Sequence, residues 1–177
     1  MRKSIWIGGA AAVALAVSAG VAGEPSWTDG QTVFLDPSAQ SHTHLESIAV
    51  QASLVAADSL AIGVVDRLIR HPKIARRYLS IEGHRALAAN ELLLPWALAS
   101  LADREVAALS DSPASSLALA TGKLALADPP PAFGVIRAKK LASAMKRADS
   151  GDGSAEHVAR KEATGELEEL AEDAVDD

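Results

Sequence analysis

The sequence predicts an all-α protein: an N-terminal signal or anchor helix, a small Ala/Leu-rich helical domain and a charged C-terminal tail. Three observations predict it. Alanine, leucine, glutamate, lysine and arginine dominate the chain, and these are strong helix formers. Aromatic residues make up only 3% of it, and runs of β-branched residues are few, so strands have little to draw on. Apolar positions between the Pro and Gly breaks recur at three- and four-residue steps, the period of a helix.

The leader comes first. Arg2 and Lys3 precede an unbroken apolar run over residues 5–17, which continues through small residues to Gly23, and ionisable groups resume at Glu24. A cationic start, an apolar middle and a small-residue exit are the pattern read by the export machinery. Two outcomes fit. Val17-Ser18-Ala19 and Val21-Ala22-Gly23 both offer small residues to a signal peptidase, which makes residues 1–23 a cleaved signal peptide. Alternatively, the 18 residues 5–22 approach the length that crosses ~30 Å of hydrocarbon, which makes them a retained anchor. Gly8, Ala12, Ala16 and Gly20 then share one helix face, a small-residue stripe that lets two such helices pair as a homo-oligomer. Either outcome places the protein in the cell envelope: periplasmic or secreted after cleavage, or anchored in the inner membrane. The chain holds no cysteine, so disulfides and thiolate metal sites are excluded. With so much of the apolar content in alanine, packing is expected to be thin, because alanine buries little area.

Residues 24–42 read as a linker carrying Pro25, Gly30 and Pro37, with Thr32–Leu35 extended. A helical domain follows over residues 43–128. Thr43 and Glu46 match a capping box, and the helix they open is expected to run to about His71, where Pro72 ends it. A short helix over residues 73–79 is broken by Gly83, and a long helical pattern over residues 85–109 is interrupted by Pro95, which should kink it or split it in two. Ser112-Pro113 marks the next start, a polar cap with proline at the first helical position, and that helix is expected to reach Ala127. Residues 129–148 hold the Pro129-Pro130-Pro131 spacer and a basic amphipathic helix with Val135, Ile136, Leu141 and Met145 on its apolar side. Residues 149–177 form an acidic tail expected to be disordered.

Charge is split along the chain. From Asp149 onward the net charge is −9, which leaves +3 of the total −6 for residues 1–148. Two basic clusters, Arg67, Arg70, Lys73, Arg76, Arg77 and Arg137, Lys139, Lys140, Lys146, Arg147, are the candidate interaction sites, suited to an envelope protein partner or an anionic membrane surface. Nucleic acid is not an expected partner: the net charge is negative and aromatics for base stacking are scarce. The absence of Lys or Arg between Glu24 and Val65 also admits a second membrane crossing over residues 48–65, which satisfies the positive-inside rule. A multi-span protein of that kind would carry Asp58 and Glu91 in buried positions, although an aspartate near the centre costs about 2.5–3.5 kcal/mol.

Catalytic motifs are missing. Ser143 and Lys146 match S-x-x-K without its companion motifs, and Ala120-Thr121-Gly122-Lys123 lacks the flanks of a phosphate-binding loop. His42 and His44, with Glu46 nearby, are the one metal candidate, and two ligands alone do not define a site. The expected role is therefore non-enzymatic and without cofactor: an accessory or scaffolding protein of the envelope.

Overall fold

The structure, a computed structural model, describes residues 15–150. The leader residues 1–14, with Gly8 and Ala12 of the expected small-residue stripe, and the acidic tail over 151–177 lie outside the described residues. Contacts divide the chain into a first unit, Met1–Ala142, and a second, Ser143–Asp177.

The all-α expectation is overturned: the fold is mixed α/β. Three short strands, β1 (Ala16–Ala19), β2 (Trp27–Thr28) and β3 (Thr32–Leu35), form one sheet in the order β1-β3-β2. β3 is central, parallel to β1 and antiparallel to β2. Its alternation places Val33 and Leu35 inside and leaves Thr32 and Phe34 half-buried. The β2–β3 turn is fastened by Asp29 Oδ1, which accepts from the amides of Gln31 (3.0 Å) and Thr32 (2.7 Å). Phe34 stacks on Trp27 with ring centroids 4.2 Å apart. β1 is the larger surprise. Alanine and serine have little strand preference, so its conformation is set by main-chain pairing to β3.

The helices follow as α1 (Ser41–Ala56), α2 (Ile62–Arg70), α3 (Ala75–Ala89), α4 (Arg104–Ala107), α5 (Pro113–Thr121) and α6 (Ala138–Asp149). The long helix expected to end near His71 is two helices. The chain turns at Asp58, whose φ of 54° lies in the left-handed region, and α1 stops two residues earlier. α1 also starts earlier than the capping box implies: Gln40 is its N-cap, without a side-chain bond, and Thr43 lies inside the first turn.

Gly83 does not break a helix. It lies in the middle of α3, where a Cβ would sit 2.4 Å from two ring carbons of Phe133, so glycine is the residue that lets the aromatic ring reach the helix. Phe133 is fully buried, and Gly134 after it turns the chain at φ 68° with no room for a Cβ, which would fall 1.9 Å from Ser26 O. Ser112 caps α5 by accepting from Ser115 N, with Pro113 next, as the sequence implies. α5 ends at Thr121 rather than Ala127, and Arg77 donates to Ala120 O in its last turn and to Gly122 O and Leu124 O beyond it, at 2.8–3.1 Å.

The core of the first unit joins Val33, Val50, Leu54, Leu68, Tyr78, Leu79, Ile81, Leu87 and Phe133, all at most 2% exposed. Six of the nine are leucine or aromatic, so the packing is fuller than the alanine content implies.

Candidate functional site

α3 stops at Asn90, whose Nδ2 donates back to Ala86 O at 2.9 Å. The chain cannot continue as a helix because Leu94 precedes Pro95 and is held extended (φ −89°, ψ 146°). Residues 91–101 instead make two 3₁₀ turns, Glu91–Leu93 and Trp96–Leu101. The base of this loop is closed. Arg104 is ion-paired to Glu91 at 2.5 Å, Asp103 N donates to His84 Nδ1 at 3.0 Å, and Asp103 Oδ1 caps α4 by accepting from Glu105 N and Val106 N.

The loop holds its apolar side chains out to water. Leu92 is 99% exposed, Trp96 90% and Leu93 72%. Leu94 and Leu98 fold inward and, with Leu87, Ala88 and Pro95, line a groove of about 370 Å³. Residues 92–102 contain no charged side chain, so the exposed apolar surface is uninterrupted until Asp103. Isolated exposed leucines are ordinary, but Leu92, Leu93 and Trp96 protrude within five residues of one another on a charge-free loop. Moving Leu92 and Leu93 out of water is worth about 3–6 kcal/mol at ~1.5–3 kcal/mol per side chain.

A second cluster is polar and buried. Glu82 on α3 is 0% exposed. It accepts from Ser59 Oγ, from Ser116 Oγ at 2.6 Å, and from Arg85, whose Nε lies 2.8 Å from Oε2 and whose Nη2 reaches Oε1. Ser116 Oγ also lies 2.7 Å from Ser110 Oγ, and Tyr78 OH donates to Ser59 O at 2.6 Å. Glu82 holds the Arg85 guanidinium protonated above its usual range, and burial raises the Tyr78 hydroxyl far above its ordinary value. Each carboxylate oxygen has its partners, so this network ties the α1–α2 turn, α3 and α5 together. It is a tether rather than a reactive centre.

His84 is also buried, and burial lowers its pKa. Its Nδ1 is taken by the Asp103 amide, and the nearby Ser80 Oγ donates to Arg77 O at 2.9 Å. Ser80, His84 and Asp103 line one cavity here, with Ser80 Oγ bonded to main chain rather than to the imidazole.

The residues singled out from sequence fall as follows. Asp58 and Glu91 are exposed in this fold. Among the described residues no helix is long and apolar enough to cross a membrane; residues 48–65 are split between α1 and α2. His42 and His44 lie in the first turn of α1, about 200° apart around the helix rather than on one side of an extended segment. His44 Nε2 donates to Asp36 O at 2.7 Å, and among the described residues no group of three or more acidic, histidine or cysteine ligands converges.

The basic clusters are partly engaged. Arg77 serves α5, Arg76 pairs with Asp128 at 2.7 Å, and Arg70 Nε donates to Asp66 O. Arg137 pairs with Glu24 at 2.5 Å and lies over the Trp27 ring, which Lys140 also covers at 4.7 Å. Arg67, Lys73, Lys139, Lys146 and Arg147 are exposed. The apolar loop was not singled out from sequence. Its signal was available: three consecutive leucines, Pro95 and Trp96 within a charge-free run.

No family model matches the chain, and no curated protein or solved structure matches it.

Proposed function

We propose that this protein is a non-enzymatic docking protein of the cell envelope, brought to a membrane by its leader and bound at the water–lipid interface through residues 91–101. The near-complete exposure of Leu92 and Trp96 at a loop with a closed, ion-paired base carries the reading. Protruding, uncharged side chains suit a bilayer, which needs no complementary pocket, and tryptophan favours the headgroup region. Pro95 and the 3₁₀ turns hold the leucines outward, so no refolding is needed for contact.

The test is sedimentation of the full chain with zwitterionic phospholipid vesicles, compared with a Leu92→Asp/Leu93→Asp variant. The wild-type protein is expected in the pellet both at low salt and at about 0.5 M salt, where the Debye length shrinks to roughly 4 Å, and the variant in the supernatant. Binding that requires anionic lipid and disappears in salt would move the contact to the basic clusters. Absence of binding to either vesicle would reject the membrane in favour of a protein partner.

A further inference from the structure

Residues 16–20 belong to two environments that exclude each other. In the sequence they complete the 18-residue apolar stretch 5–22. In the fold they form β1, with Ala16 opposite Thr32 and Ala19 opposite Leu35. Ala16 N donates to Gln31 O at 2.9 Å and Gly20 N to Leu35 O at 2.6 Å. All four strand residues are exposed, so main-chain pairing rather than burial holds them, the mode by which a sheet edge captures an extended peptide. Gly20 fits the exit from the strand, since a Cβ there would lie 3.0 Å from Leu35 O.

Docking leaves too little apolar chain to span a membrane. With residues 16–19 in the sheet, residues 5–15 provide 11 residues, about 16 Å as a helix, roughly half the ~30 Å of hydrocarbon. Docking also ties up main chain at the peptidase sites, although their side chains stay exposed. Val17-Ser18-Ala19 lies in β1, and Gly23, which ends the second site, donates its amide to Asp36 Oδ1 at 2.9 Å.

We propose that the outer edge of β3 is a strand-acceptor site whose ligand is the end of the chain's own leader, and that it competes with the membrane and with signal peptidase for residues 16–23. The proposal rests on the leader reading and is independent of residues 91–101. Folding ahead of export withdraws these residues from the membrane; export ahead of folding leaves the β3 edge bare.

A cysteine-free chain makes the test clean. Ala16 and Thr32 are paired neighbours in parallel strands, about 4.8 Å apart, within the Cα range of roughly 4.4–6.8 Å that a disulfide bridges. The full-length A16C/T32C chain, oxidised and reduced, is presented to purified bacterial signal peptidase and to phospholipid vesicles. The disulfide is expected to form. The oxidised chain should be neither cleaved nor retained on the vesicles after alkaline washing. The reduced chain should be processed at least about tenfold faster, because attack on a folded segment follows its open population. Adding Ser18→Pro, which unpairs β1, should speed it further. A disulfide that does not form overturns the docking. Equal rates in both redox states overturn the competition. A disulfide that forms in a chain never cleaved or retained, even with Ser18→Pro, overturns the proposal through the leader reading alone.

Discussion

Glu82 is the residue on which the interior depends most. A fully buried carboxylate with a guanidinium and two hydroxyls around it is stable only as a set, and removing one partner strands the others. Glu82→Gln is expected to lower stability by about 3–5 kcal/mol in urea denaturation, whereas replacing Glu82 and Arg85 together by leucine should recover much of that loss. Ser53 is the opposite case. Its buried hydroxyl has no hydrogen-bond partner, so Ser53→Ala should be neutral or stabilising. His84 sets a pH dependence. Burial depresses its folded pKa below 6.5, so the unfolded chain binds the proton more tightly. Stability from this group is complete above the unfolded value and falls as pH drops through the folded one. Thermal melts between neutral and mildly acidic pH should show that decline, reduced in His84→Gln. Only the Glu82–Arg85 pair has a local spacing, i to i+3 on one helix; the hydroxyl partners were not legible from the sequence. Ser59 and Ser116 lie 23 and 34 residues from Glu82, and no local pattern announces which serine will turn inward.

At the scale of elements, the local signals that were self-contained were read correctly. Thr32–Leu35 alternates and forms a strand, and Ser112-Pro113 opens α5 with its own cap. The misread elements depend on distant partners. Gly83 reads as a helix breaker in isolation, yet it sits within α3 because Phe133, 50 residues on, needs the space of a missing Cβ. Gly83→Ala should therefore cost about 2–3 kcal/mol by overpacking despite alanine's better helix propensity, and Phe133→Leu in the same chain should relieve part of the cost. Guanidinium denaturation of the two single variants and the double variant measures that coupling. The split between α1 and α2 has a similar origin. Asp58 takes a left-handed turn that aims Ser59 at Glu82, and no proline or glycine marks the position.

For the whole molecule, the misassigned fold class has one physical source. Ala16–Ala19 has the composition of a leader, and small residues carry almost no information about whether they will be helix in lipid or strand on a sheet. The neighbour decides, and here it is β3. The apolar loop shows the converse. Residues 92–102 read as part of a helical pattern because apolar periodicity does not report burial, and only the fold shows Leu92 and Trp96 facing water. Substitutions there should be silent for folding: Leu92→Ser is expected to change stability by no more than about 0.5 kcal/mol while weakening attachment.

Membrane docking through this loop is tested most directly by a single probe at its tip. The full chain with Leu92→Cys, its only cysteine, is labelled with an environment-sensitive fluorophore and mixed with zwitterionic vesicles, beside a control labelled at Arg70→Cys. Docking predicts a blue-shifted, brighter signal at position 92 that lipid-borne quenchers suppress, with no change at position 70. An unshifted probe at 92, or an equal response at both positions, would contradict it.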